Sequence, residues 1–211
     1  DSIRNVHGVG YRLAATSVLP QAGVAPGNAT ARLRVGVLPI AGLNDDPALR
    51  WIEYGLVTLT IQRLEACPSL AVSPLPELIL ARAQVPSDAP IHHVATAAIT
   101  LLGLGGCIHA TFRRTPSAFW LDYRGFGTQL SGFAGSVCAA EPTELAALLA
   151  SEVLGFLGLQ SETGQSFVPA DPYVMQTYAR ATQMLAMLQF RAAYKLLEVV
   201  LEFEPEWLVA R

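Results

Sequence analysis

Apolar and polar positions alternate in short blocks along the chain, and the period of each block predicts its element. Residues 1–13 alternate as two brief β-runs: Ile3 to Val6, then Tyr11 to Leu13, with Gly8 and Gly10 between them. This reads as a hairpin too small to be stable alone, so further chain is expected before Asp1. Residues 14–33 carry Pro20, Gly23, Pro26 and Gly27 without periodicity and read as a linker. From Arg34 the pattern is that of a packed domain. Val35, Val37, Leu38 and Ile40 form a buried strand, and a polar turn at Asn44-Asp45-Asp46-Pro47 follows. Ile52, Leu56 and Leu59 then recur at helical spacing up to Cys67-Pro68.

Leu70 to Ser73 reads as a second strand. A helix in two pieces, broken by Pro86 and Pro90, leads to Leu102. Cys107 to Arg114, Phe119 to Phe126 and residues 136–139 read as neighbouring strands. Pro142 then opens a helix with the stripe Leu145, Leu149, Val153 and Phe156. The predicted fold is α/β, a mixed sheet flanked by helices. A polar stretch, 160–166, separates it from an all-helical end. There Asp171-Pro172 caps a first helix, and Ala193, Leu196, Leu197, Val200 and Leu201 form the apolar face of a second, which stops at Pro205.

Composition narrows the function. Hydrophobic residues make up 52% of the 211 positions and charged residues 15%, with a formal net charge of -3. So apolar a chain is ordered for most of its length. A chain holding DNA through this surface should be basic, so most of the surface is not a nucleic-acid footprint. Cys67, Cys107 and Cys138 have neither zinc nor redox spacing, and free thiols suit a cytoplasmic setting. No apolar run approaches the roughly 20 residues of a membrane span.

Candidate chemistry is thin, and the expectation is no catalytic residues, no metal and no cofactor. His92-His93 point about 100° apart on a helix and suit one ion poorly. Cys107 and His109 share a strand face by alternation, but no oxyanion site accompanies them. Gly103-Leu104-Gly105-Gly106 lacks the Lys-Ser/Thr of a phosphate loop and leads into a strand, so it reads as a turn. Arg113-Arg114 reads as a solvated strand end.

Three segments, in order, resemble parts of one family. Ile3-Arg4-Asn5-Val6-His7-Gly8-Val9-Gly10-Tyr11-Arg12-Leu13 resembles the closing wing of OmpR/PhoB-type winged helices, which end in Val-Arg-Gly-x-Gly-Tyr-Arg. The resemblance implies weak DNA contacts at Arg4, His7 and Arg12; His7 stands where the family has Arg. Val37-Leu38-Pro39-Ile40, Trp51 to Leu56, Leu70 to Ser73 and Leu102 to Arg114 resemble a TolB-like domain. Asp171 to Pro205 resembles a tetratricopeptide repeat, with small residues at Ala181 and Ala193. That resemblance implies packing or protein-binding roles for Tyr178, Ala181, Ala193, Leu197, Pro205 and Trp207, with further repeats expected after Arg211.

Together these resemble cytoplasmic bacterial transcription regulators of the CadC/ToxR and HilA kind. The implied organisation is a remnant wing at 1–13, a linker at 14–33, a sensor or docking domain at 34–159 and the start of a repeat array at 168–211. The implied partners are DNA through a winged helix outside this chain and a protein or peptide through the repeat. Self-association through the C-terminal helices is expected too. A TolB-like scaffold or interaction module unrelated to transcription is the alternative.

Overall fold

The computed structural model describes residues 3–6, 10–13, 32–43, 49–159, 171–186 and 188–205. Linker residues 14–31, the 44–48 turn, the 160–166 stretch, His7 and Trp207 lie outside the described residues, and Leu33, at the end of the expected linker, already opens a strand. The chain divides into two units, Asp1–Ala31 and Arg32–Arg211. In the first, β1 (Ile3–Val6) pairs antiparallel with β2 (Gly10–Leu13), and Arg4 stands opposite Arg12.

The second unit is α/β, as its periodicities predict. Its strands are β3 (Leu33–Val37), β4 (Leu70–Val72), β5 (Gly106–Arg114), β6 (Phe119–Phe126) and β7 (Ala134–Ala139). They form one five-stranded mixed sheet in the order β4-β3-β5-β6-β7. β3 is parallel to both β4 and β5, whereas β5, β6 and β7 form an antiparallel meander. The helices are α1 (Ile52–Glu65), α2 (Leu75–Ala83), α3 (Ile91–Leu102), α4 (Pro142–Phe156), α5 (Pro172–Ala186) and α6 (Phe190–Phe203).

Side-chain alternation divides the interior into two cores. Val35, Val37, Ile108, Ala110 and Phe112 pack with α1 and α4 on one face. Leu38 and Cys107 pack with Leu78 of α2 and Val94 and Ala98 of α3 on the other. Gly36 faces the second core, where a Cβ would sit 2.8 Å from Leu78 and 2.9 Å from Leu104. Proline spacing sets the helix breaks: Pro90 precedes α3, and Gly103 closes it at φ 62, a left-handed cap that favours glycine. Leu145, Leu149 and Val153 of the predicted stripe are fully buried. Phe156 departs from it at 46% exposure, with its ring 5.1 Å from that of Phe133.

The helical end shares the first core. Val174 and Met175 of α5 and Val200 of α6 are buried within it, and α5 packs against α1. The contact is made by small residues: a Cβ on Gly55 of α1 would lie 2.9 Å from the Ala179 Cβ. Periodicity reports which helix face is apolar, not which partner covers it, so this docking was not foreseen.

Candidate functional site

Two places bring together side chains with chemistry to offer. The first is a cleft of about 440 Å³ beyond the carboxyl end of β3. The chain leaves β3 through α1 on one face and returns from β4 to β5 through α2 and α3 on the other. Such reversals open a crevice where open α/β sheets place ligands. Leu38, Ile79 and Val94 supply apolar wall, and Glu53, Tyr54, Arg82 and His109 supply polar groups.

Burial shifts three of the polar groups, Glu53, Tyr54 and His109. Burial raises the Glu53 carboxyl, and a hydrogen bond from Tyr54 pulls it partly back. Burial, with the Glu53 charge beside it, pushes Tyr54 up to about 12. Burial lowers His109, favouring the neutral imidazole. Arg82 is occupied, donating to the carbonyls of Val85 (3.2 Å), Pro86 (2.9 Å) and Ser87 (2.7 Å) and so tying the α2–α3 connection to the cleft rim. This set can hold a small molecule. Cys107 lies on the same strand face as His109, but its thiol is fully buried and burial pushes it up to about 12. A nucleophilic pair would hold that thiol low instead.

The second place is the α5–α6 hairpin. Asp171 accepts a hydrogen bond from the Tyr173 N–H at 2.8 Å, the expected cap. Ala181 and Ala193 are both fully buried. Tyr178 is partly buried against the first core, Leu197 is half-buried, and Pro205 is exposed just past α6. Leu201 is not part of a covered face: it is 37% exposed, and Phe190 and Tyr194 are 62% and 63% exposed. Sequence reasoning missed this outward row, because Phe190 and Tyr194 fall on a different side of the helix from Ala193 and Val200.

Elsewhere, Arg113 forms an ion pair with Asp122 on the open sheet face, so the Arg113-Arg114 strand end is only partly a free charge. Asp122 is held down to about 2 by the Arg113 and then the Ser136 hydrogen bonds. His92 and His93 are exposed, with ring centroids 4.2 Å apart. Among the described residues no group of three or more His, Cys, Asp or Glu side chains could hold a metal ion. No helix among them is long and apolar enough to cross a membrane.

No protein-family model and no curated protein matches the sequence. Among solved structures the chain is distantly similar to TolB from Acinetobacter baumannii, at TM-score 0.41 and 14% identity over 59% of this chain. It spans only 28% of that protein's length. Two PelC dodecamers from Paraburkholderia phytofirmans are similar at TM-scores 0.35 and 0.33, with 16% and 14% identity. Those matches cover 63% and 60% of this chain and 95% and 88% of PelC.

Proposed function

We propose that this chain is a non-catalytic interaction module, a scaffold whose sheet domain holds a helical hairpin with its outer face toward a protein partner. The observation that carries this reading is the two-sidedness of α6. Ala193 and Val200 are fully buried, while Phe190 and Tyr194 stay more than 60% exposed. Apolar patches of this kind mark interaction surfaces in soluble proteins. The cleft beside β3 gives the same module a place for a small ligand.

The test is a photo-crosslinking amino acid at Tyr194 in the producing cell, with a control at Arg124 on the open sheet face. The expected result is a discrete protein adduct from position 194 that Phe190→Ser removes. Absence of any adduct there would overturn the reading.

A second reading makes the module the regulatory part of a cytoplasmic DNA-binding transcription regulator. It is favoured by the β1–β2 hairpin, whose antiparallel register from Ile3–Leu13 to Val6–Gly10 suits a closing wing. DNA would then be held by a winged helix outside this chain. With a net charge of -3, this chain alone should bind DNA negligibly in a mobility-shift assay. Salt-sensitive micromolar binding by the isolated chain would contradict that division of labour.

A further inference from the structure

The outer row of α6 has a charge order that is unfavourable in an isolated helix. Phe190, Tyr194, Leu197 and Leu201 follow one another at intervals of four, three and four, the spacing of a helix-pairing seam. One position beyond each, on a single flank, stand Arg191, Lys195, Glu198 and Glu202, all exposed. The cations occupy the amino-terminal half and the anions the carboxyl-terminal half. This opposes the helix dipole, which favours acidic residues in the first turn and basic ones in the last; α6 has neither. Arg191–Lys195 and Glu198–Glu202 also place like charges four residues apart, a destabilising spacing. Only Lys195–Glu198, three apart, joins opposite charges within the row.

Both defects are offset against a second α6 running the other way. A twofold axis perpendicular to the helix sets the seam on itself reversed, with Phe190 over Leu201 of the other copy and Tyr194 over its Leu197. The same operation places the charged flank against itself reversed, so the cationic half of each copy meets the anionic half of the other. A parallel pair would set this flank against the opposite flank, where Ala193 and Val200 are already buried in the protein's own core.

We infer that α6 is a self-recognition surface whose occupant is a second copy of this chain, packed antiparallel with its charged flanks in register. The inference rests on the interaction-module reading and names its partner. A single 14-residue helix pair makes a small interface, so the dimer is weak and concentration-dependent. Its charged flank makes it salt-sensitive.

Sedimentation equilibrium on the purified chain tests this, with circular dichroism confirming that each surface variant is folded. The wild type should associate at low salt and dissociate as salt rises. Arg191→Glu with Lys195→Glu makes the flank wholly acidic, and Glu198→Lys with Glu202→Lys makes it wholly basic. Each double variant should lose association by about tenfold or more, through like-charge contacts across the interface. Mixed in equal amounts, the two should pair with each other.

A monomeric wild type at millimolar concentration, double variants that associate as the wild type does, or a mixture that stays monomeric would each overturn the inference. The Tyr194 crosslink separates this from failure of the broader reading. An adduct with a different protein and a monomeric purified chain would end self-pairing alone; no adduct and no dimer would end both.

Discussion

Helices α4 and α6 are nearly equal in length and similarly rich in apolar residues, yet they are used in opposite ways. α4 buries Leu145, Ala146, Leu149, Ala150, Val153 and Leu154 beneath the sheet and beside α1. α6 buries only Ala193 and Val200 and leaves Phe190 and Tyr194 in solvent. A helix clamped between a sheet and another helix stabilises the fold through nearly every apolar side chain it carries. A helix at the outer edge of a hairpin has one covered side, and its remaining apolar residues are available for association. Buried side chains of α4 hold the fold together, whereas Phe190 and Tyr194 of α6 contribute little to it.

The sharpest way to break that contrast is to truncate equivalent leucines. Leu149→Ala, at a fully buried site, should cost about 2–5 kcal/mol through lost burial and the cavity left behind. Urea unfolding measures it, and a loss below about 1 kcal/mol would mean that α4 is not the clamp described.

Next in size is overpacking at the small-residue crossings. Ala193→Leu on α6 and Gly55→Ala at the α1–α5 contact should each destabilise by about 1–3 kcal/mol. An unchanged melting temperature for both would show that the helices do not pack as closely at Gly55 and Ala193 as their lack of space for a larger side chain requires.

A pH experiment bears on the cleft. The folded protein disfavours protonation of His109, whose value burial lowers from 6.5. The unfolded chain therefore binds more protons in the window below 6.5, and stability should fall as pH drops through it. His109→Gln should flatten that slope. An unchanged slope would place His109 in water rather than in the cleft wall.

The smallest effect is expected on the outer row. Tyr194→Ser should change the stability of the dilute monomer by less than about 0.5 kcal/mol, because the side chain is 63% exposed there. A loss comparable to that of Leu149→Ala would mean that α6 is a core helix like α4, and the contrast would collapse.

Much of the element plan was legible in the chain. Apolar runs mark β3, β5 and β6; Pro142 and Pro172 mark helix starts; Pro86 and Pro90 mark the break between α2 and α3; and the Gly103–Gly106 run reads as the turn that the left-handed Gly103 makes. Local patterns carry this information because turn chemistry, capping and side-chain period depend on neighbours within one or two helical turns.

What the sequence by itself determined is therefore the kind and order of the elements and which face of each is apolar. Only the tertiary structure decided which of those faces are covered. It placed α5 on α1 through Gly55 and Ala179, although more than 120 residues separate them in the chain. It opened the cleft by sending α1 and the α2–α3 pair to opposite sides of β3, and it brought Glu53 and His109 to one cavity. It left Phe190, Tyr194 and Leu201 exposed while enclosing Ala193 and Val200. The physical reason is that burial belongs to pairs of surfaces. A stripe of apolar residues records that a surface gains by leaving water, but the surface that meets it is set by distant chain segments that no local period encodes.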